Sequence, residues 1–247
     1  MRAAGGGQNL TTSIVEDLGI AIVTGRYHAA NPFPVEGDLC LQYEASRSVV
    51  REAVKMLTAK GLLKARPRQG TWVQPESSWN LLDPDVLRWT LERKFSLRLL
   101  IEFTQVRLGV EPAAAALAAK EAGPAEKARI NVAIERMIAA ERGDDDPLTS
   151  DIAFHASILR ASGNPFFAQL CELIETALRF SIRRTNFYKG VRLASVYDHK
   201  VVSDAILAGD ADTAETAMRA LIQEALDLML TADAGDDPLT EALPAGA

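Results

Sequence analysis

The chain has 247 residues, of which 48% are hydrophobic, 24% charged and 6% aromatic. This length and composition predict one or two globular domains. We find no apolar run of about 18 residues and no apolar segment near the N-terminus, so we expect a cytoplasmic protein without a membrane span or a secretory signal. Two cysteines, Cys40 and Cys171, are too few and too far apart for a disulfide framework or a structural zinc site.

The net charge of −6 is unevenly distributed along the chain. Residues 1–75 carry a net charge of +3, whereas residues 76–247 carry −9. Between residues 46 and 72, seven basic side chains stand against one acidic side chain, Glu52. A basic segment on an acidic protein indicates a polyanion partner such as nucleic acid, although a solvated helix face would give the same pattern.

The N-terminal part has the element order of a winged helix-turn-helix domain. Apolar residues recur at helical spacing in three segments, which are 13–25, about 35–43 and 46–60. Two short β-prone runs then flank a Pro/Gly turn at residues 67–70, which predicts a small hairpin. We therefore predict a disordered segment at 1–12, a winged helix-turn-helix domain at 13–75 and a linker at 76–82.

The remainder of the chain reads as helical throughout. The predicted helices are 83–94, 96–121, 124–142, 147–162, 165–189, 193–208 and 211–232, separated by glycine, proline and serine breaks. They predict an all-α bundle of six or seven helices over residues 83–232, followed by a disordered acidic tail at 233–247. The predicted fold class is thus mostly α.

The third predicted helix has the character of a DNA-reading helix. Arg47 and Arg51 are four residues apart, so they lie on one face, opposite the apolar side. A guanidinium can pair with the major-groove edge of guanine or clamp a phosphate, and serine hydroxyls can bind phosphate. The hairpin turn would form the tip of a wing. The candidate DNA-binding residues are Ser46, Arg47, Ser48, Arg51, Arg68 and Gly70. The alternative is an ordinary helical hairpin with exposed arginines.

Several short motifs carry a family resemblance. They read Phe33-Pro34-x-Glu36-x-x-Leu39, Ser46-Arg47-x-x-Val50-Arg51-Glu52-Ala53 and Arg68-Gln69-Gly70-Thr71-x-Val73. With the helical remainder, they resemble the GntR family of bacterial transcription regulators, in its FadR-type subfamily with an FCD effector domain, over residues 13–230. The segment 79–89 is also similar to repressors of sugar-acid catabolism.

The resemblance implies a homodimer that binds palindromic operator DNA through two winged helices and is released by a small metabolite. It assigns Arg47, Arg51 and Gly70 as DNA contacts. Some relatives have an additional base-contacting arginine in the second helix. Gly37 stands at that position here, so we expect that contact to be absent.

One group of residues in the helical region could bind a metal ion or an effector. Asp151 and His155 are one helical turn apart, and His199 begins a later helix. A carboxylate and two imidazoles suit zinc, nickel or hydrogen bonds to a polyhydroxy acid, but a helix cap and a surface histidine would explain them equally well. The resemblance implies a site of one Asp and three His, and its spacing puts the fourth ligand at Leu221. We therefore expect at most a three-ligand metal site and no organic cofactor.

Arginines in the same region are candidates for binding an anion. Arg107 lies on an otherwise apolar helix, so it needs either Glu111 or an effector carboxylate as a partner, and the resemblance favours the carboxylate. One of Arg179, Arg183 and Arg184 is expected to line the pocket, unless these residues are exposed or contact a second subunit. The candidate effector-binding residues are Arg107, Asp151, His155, Arg183, Asn186 and His199.

These observations favour a ligand-responsive, DNA-binding transcription regulator that is not an enzyme. The specific expectation is a repressor of sugar-acid catabolism genes that a small carboxylate such as an aldonate releases from its operator. The alternatives are a metal-dependent enzyme that acts on a small organic acid through Asp151, His155 and His199, and an effector-binding module that positions partner proteins.

Overall fold

The computed structural model describes residues 6–28, 30–66, 70–93, 96–189 and 195–234. The chain divides into two compact units, Met1–Phe95 and Ser96–Ala247. Within the described ranges, no helix is both long and apolar enough to cross a membrane.

The N-terminal unit has four helices and a two-stranded antiparallel sheet in its described part. The elements are α1 (Gly6–Val23), α2 (Glu36–Gln42), α3 (Arg47–Ala59), β1 (Leu63–Arg66), β2 (Gly70–Val73), a short 3-10 helix (Glu76–Ser78) and α4 (Pro84–Arg93). The strand register pairs Leu63 with Val73 and Arg66 with Gly70. This arrangement confirms the predicted winged helix-turn-helix.

The amphipathic pattern of the helices builds the core of this unit. Leu18 of α1, Leu39 of α2, and Val50 and Leu57 of α3 are fully buried together. The chain leaves α3 through Gly61, which has a φ of +77° and whose absent Cβ would overlap the carbonyl oxygen of Ser78. Only glycine fits this turn, and the turn directs the chain from α3 into β1.

The fourth helix belongs to the N-terminal unit, although residues 83–94 were predicted to open the effector domain. The ring of Trp89 in α4 is only 1% exposed and belongs to the same core as α1. It packs over Gly19 of α1, where a Cβ would lie 2.5 Å from Cη2 and 2.7 Å from Cε3 of the ring. Because Gly19 has no side chain, the Trp89 ring can pack directly on α1, and this contact holds α4 against α1.

Ion pairs fix the start of α4. Asp83 accepts hydrogen bonds from the backbone N–H groups of Asp85 and Val86, which caps the helix. Its carboxylate also binds Lys60 Nζ at 2.8 Å, as Asp85 does at 2.9 Å. Lys60 follows α3, so the Asp-rich start of α4 is bound to the C-terminal end of that helix.

The C-terminal unit is helical throughout its described part. Its helices are α5 (Leu97–Glu121), α6 (Pro124–Glu141), α7 (Pro147–Ala161), α8 (Pro165–Gln169), α9 (Cys171–Lys189), α10 (Val196–Ala208) and α11 (Ala211–Ala234). The predicted all-α bundle is thus confirmed. Ala115 and Ala118 of α5 and Ala214 of α11 are buried in one core, where their small side chains allow the helices to pack closely.

Three predicted boundaries differ from the structure. Helix α1 begins at Gly6, inside the segment 1–12 that was predicted to be disordered. The predicted helix 165–189 is interrupted at Leu170, which caps α8, and α9 starts at the buried Cys171. Helix α11 extends to Ala234, and the rest of the predicted tail lies outside the described residues.

Candidate nucleic-acid interface and candidate metal centre

The N-terminus of α3 is exposed and polar. Ser46, Arg47 and Ser48 are all exposed. Ser46 is the N-cap residue, but its hydroxyl makes no capping hydrogen bond and instead lies 2.9 Å from the Ser48 hydroxyl. The first N–H groups of α3, together with two hydroxyls and a guanidinium, can therefore bind phosphate.

Arg51 lies one turn further along the same face of α3. Its side chain is 59% exposed, and its Nε donates a 2.9 Å hydrogen bond to Glu36 of α2. This contact uses Nε rather than the two terminal nitrogens, which are the donors that pair with guanine. Arg47 and Arg51 thus remain on the surface, as the sequence predicted. Sequence reasoning missed Glu36 as the partner of Arg51.

The hairpin adds basic side chains next to this helix within the same unit. Lys64 and Arg66 are exposed, and the Arg66 guanidinium lies 5.6 Å from the ring centroid of Trp72. Gly70 has a φ of +91°, which favours glycine. Arg68 lies outside the described residues. Lys60, by contrast, is neutralised by its acidic partners in α4 and does not add to the basic surface.

The structure brings Asp151, His155 and His199 together at a buried point of the C-terminal unit. One ligand atom from each residue lies within 4.8 Å of the others. Asp151 Oδ1 is 3.4 Å from His155 Nε2 and 3.4 Å from His199 Nε2. Helix α7 supplies the first two residues from successive turns, and α10 supplies the third.

Neighbouring acceptors orient both imidazoles. His199 Nδ1 lies 2.7 Å from the backbone carbonyl of Ser195, which can only accept, so Nδ1 carries the proton and Nε2 presents a lone pair. His155 Nδ1 lies 2.5 Å from Glu111 Oε2. Metal-bound histidines are commonly held in this way by a carboxylate or a carbonyl on the second nitrogen.

The donor atoms fit a divalent cation. Asp151 Oδ1 and His199 Nε2 are buried and have no hydrogen-bond partner among the described residues. A buried carboxylate oxygen and a buried imidazole lone pair are costly without a partner, and a metal ion would satisfy both. Leu221 lines the same cavity and offers no ligand atom, so the described donor set has three members.

Glu111 links the cluster to Arg107. The Arg107 Nε donates a 2.5 Å hydrogen bond to Glu111 Oε1, and both residues are buried in α5. The preference for an effector carboxylate as the partner of Arg107 is therefore corrected, since Glu111 occupies that role. Arg107 nevertheless lines the cavity beside the cluster.

The buried charges influence one another strongly. Burial alone would raise the pKa of Glu111, but the charges of Arg107 and His155 lower it to about 2. Burial disfavours a charged His155, yet Glu111 and Asp151 raise its pKa to about 9. Burial opposes ionisation of Asp151 as well, and the two histidines hold its pKa below the usual range. The carboxylates are therefore ionised and able to bind a cation, and a metal ion that binds His155 must displace the proton that its raised pKa retains.

The cluster opens into a cavity of about 50 Å³. Helices α9, α10 and α11 supply the rest of its lining, which consists of Leu178, Ser181, Ile182, Thr185, Asn186, Ser195, Asp198, Leu221, Ile222, Glu224 and Ala225. Asn186 was predicted to lie here, whereas Ser181 and Thr185 were not identified from the sequence.

The basic residues of α9 do not line this cavity. Arg183 is exposed and acts electrostatically on Asp146 at the start of α7. Arg184 is buried, but its Nε donates to the Tyr188 hydroxyl at 2.9 Å. Arg179 is exposed. The expectation that Arg183 faces the effector is therefore corrected, because the inward face of α9 carries hydroxyls instead.

Comparison with known proteins agrees with both units. Residues 10–73 match the model of bacterial regulatory proteins of the gntR family, and residues 102–224 match the FCD domain. The galactonate operon transcriptional repressor of Escherichia coli (strain K12) is 36% identical over 87% of this chain and 94% of its own. A putative L-lactate dehydrogenase operon regulatory protein of the same organism is 27% identical over 86% and 83%.

One solved structure supports the fold. It is described as Lar, which controls expression of the Listeria monocytogenes agr system, and it aligns with a TM-score of 0.56 at 14% identity. The alignment covers 94% of this chain and 98% of that one. The matched families and relatives are transcription regulators, and they give no support to the alternative of a metal-dependent enzyme.

Proposed function

Since the chain belongs to the gntR family of bacterial regulatory proteins and is a transcription regulator with an FCD domain, we propose that a small carboxylate releases it from operator DNA. The observation that carries this proposal is the buried cluster of Asp151, His155 and His199, with two unpartnered atoms, beside Arg107 in one cavity. Such a site senses a small ligand and needs no catalytic group.

The N-terminal unit would bind the operator through α3 and the wing. Arg51, oriented by Glu36, is suited to a guanine edge, and Arg47 to a base or a phosphate. Ser46, Ser48, Arg68 and Gly70 would contact the backbone. We propose a homodimer that reads the two halves of a palindrome, since one α3 helix can enter only one half-site.

The regulated genes would be those of sugar-acid breakdown. Support comes from the 36% identity with the galactonate operon repressor over most of both chains. An aldonate such as galactonate combines one carboxylate with several hydroxyls, and the cavity offers both charged and hydroxyl groups. Repression rather than activation is proposed from the same relative.

Asp151, His155 and His199 would hold zinc or nickel. The ion supplies positive charge and open coordination positions for the oxygens of an effector. This charge matters because the cavity lining otherwise includes three carboxylates, those of Asp151, Asp198 and Glu224, and the Arg107 charge is already offset by Glu111. Leu221 leaves coordination positions free for effector oxygens or water.

Ligand binding would have to move the helices around the cavity. A volume of about 50 Å³ has room for about four water-sized groups, which is too little for a six-carbon acid. To weaken operator binding 100-fold, the effector must prefer the released state by about 2.7 kcal/mol. One or two hydrogen bonds to charged groups are sufficient for this preference.

Operator binding is tested with Arg47→Ala in a fluorescence-anisotropy titration on the promoter DNA of the chain's own gene. We expect loss of specific binding with an unchanged thermal unfolding curve. Arg179→Ala removes an equally exposed arginine from α9 and should bind like the wild type. Specific binding by Arg47→Ala would contradict the proposed interface.

The metal and effector roles are tested separately. Zinc added to the chelator-treated wild type should raise its melting temperature, and galactonate should then release operator DNA. His199→Ala should lose both responses, whereas His28→Ala, which changes the exposed third histidine, should keep them. A wild-type response to galactonate in His199→Ala would contradict the assignment of the cluster.

A further inference from the structure

Ser181 in α9 places at the cavity a hydroxyl that has no described hydrogen-bond partner. Ser181 is only 4% exposed and lines the cavity together with the Asp151 cluster. Its Oγ has no hydrogen-bond partner among the described residues. A buried hydroxyl without a partner is unfavourable, and at a cavity a ligand can complete its hydrogen bonds.

The adjacent polar groups are mainly hydrogen-bond acceptors. Thr185, one turn after Ser181, donates its own proton to the backbone carbonyl of Ser181 at 3.0 Å, so towards a ligand it can only accept. Asp198 adds a carboxylate to the lining. Hydroxyl groups of a ligand can donate to Thr185 and Asp198, whereas a second carboxylate on the ligand would be repelled by Asp198.

The charge count points the same way. A divalent ion, Asp151, two imidazoles that are neutral once they bind the ion, and the Arg107–Glu111 pair would together carry one net positive charge, which one effector carboxylate can offset. Asp198 adds a negative charge elsewhere in the lining, so a second effector carboxylate would have no positive partner.

Building on the proposed function, we propose that the cavity selects monocarboxylic polyhydroxy acids and that Ser181 is the residue that binds an effector hydroxyl. The carboxylate would lie at the cluster, and the hydroxyls would meet Ser181 and Thr185. Dicarboxylic sugar acids and acids without hydroxyls are the ligands that this arrangement would bind more weakly.

The test uses Ser181→Ala in the full-length, zinc-loaded protein and isothermal titration with galactonate, hexanoate and galactarate. Galactarate differs from galactonate by a second carboxylate, and hexanoate lacks the hydroxyls. We expect the wild type to bind galactarate at least tenfold more weakly than galactonate. Ser181→Ala should lose about three- to tenfold in galactonate affinity and should not change in its hexanoate affinity.

Ser203 provides a matched control. Its hydroxyl is equally buried and equally without a described partner, but Ser203 does not line the cavity. Ser203→Ala should therefore bind galactonate like the wild type. Because neither serine hydroxyl stabilises the fold through a hydrogen bond, neither variant should have a lower melting temperature without ligand.

The outcomes separate this inference from the proposal on which it rests. Wild-type galactonate affinity in Ser181→Ala would overturn the role of Ser181, and equal binding of galactarate and galactonate would overturn the charge selection. Failure of every acid to bind the zinc-loaded wild type would overturn the proposed function and this inference with it.

Discussion

Replacing Gly19 by Ala should destabilise the N-terminal unit, although alanine is the better helix former. The new Cβ would lie 2.5 Å and 2.7 Å from two carbons of the Trp89 ring. Carbon atoms in ordinary contact are about 3.5–4.0 Å apart, so the ring or the helix must move by about 1 Å. Gly19 and Trp89 are both buried, so neither can move without displacing neighbouring atoms.

The size of the effect follows from two opposing contributions. Overpacking of this kind costs about 1–3 kcal/mol, and alanine recovers about 1 kcal/mol in helix propensity. If the ring leaves the core, about 200 Å² of aromatic surface is exposed, which costs about 5 kcal/mol. We therefore expect a net loss of about 1 kcal/mol if the ring shifts and about 4 kcal/mol if it leaves.

In a thermal unfolding experiment, tryptophan fluorescence reports on the N-terminal unit, because the three tryptophans of the chain, Trp72, Trp79 and Trp89, all lie in it. For a unit of this size, a loss of about 1 kcal/mol lowers the melting temperature by about 6 °C. Gly37→Ala is the control, since no atom lies within 4 Å of the position of its Cβ, and it should be neutral or slightly stabilising. A Gly19→Ala protein that melts at or above the wild-type temperature would refute the packing argument.

Three further predictions concern the N-terminal unit. Glu36→Ala should reduce the ratio of specific to non-specific DNA affinity about tenfold, because Arg51 loses the partner that orients it, whereas Glu52→Ala, which removes a carboxylate from α3, should keep the ratio in the same titrations. The hydrogen bond from Arg88 holds the pKa of Glu16 below its unfolded value of 4.5, so the pair stabilises the fold above that pH and less as the pH falls through the folded value. The fluorescence melting temperature should accordingly fall between about pH 5 and pH 3, and Glu16→Gln should show a smaller fall. Glu44 has a φ of +48°, so Glu44→Gly should raise the melting temperature by a few degrees, and a decrease would argue against strain at this turn.

Features that depend on local periodicity were predictable from the sequence. The apolar spacing of α3 predicts both the burial of Val50 and Leu57 and the exposure of Arg47 and Arg51 on the other face. The one-turn spacing of Asp151 and His155 likewise predicts that they can share a ligand. These inferences needed only the geometry of a single helix.

The position of α4 could not be predicted in the same way. Its burial depends on Gly19 and Trp89, two residues that are far apart in the sequence and whose types suit many contacts. The apolar pattern of residues 84–93 would fit a bundle helix equally well, and only the tertiary contact assigns it to the N-terminal unit. The same holds for Arg51, whose partner Glu36 comes from a different helix.

The basic residues of α9 do not by themselves indicate which side of this helix faces the cavity, because that depends on tertiary packing. Ser181 and Thr185 face the cavity, and Arg183 faces outward. For Arg107, the sequence indicated either Glu111 or an effector carboxylate as the partner, and the contact of Glu111 with His155 of α7 is visible only in the structure.

The burial of Trp89 has a practical meaning for anyone who recombines this regulator with its relatives. An N-terminal fragment that ends at residue 82 would lack Trp89. The apolar surface of α1 around Gly19 would then be exposed to water, and exposed apolar surface promotes aggregation. A splice point for chimeric regulators should therefore follow α4 rather than precede it.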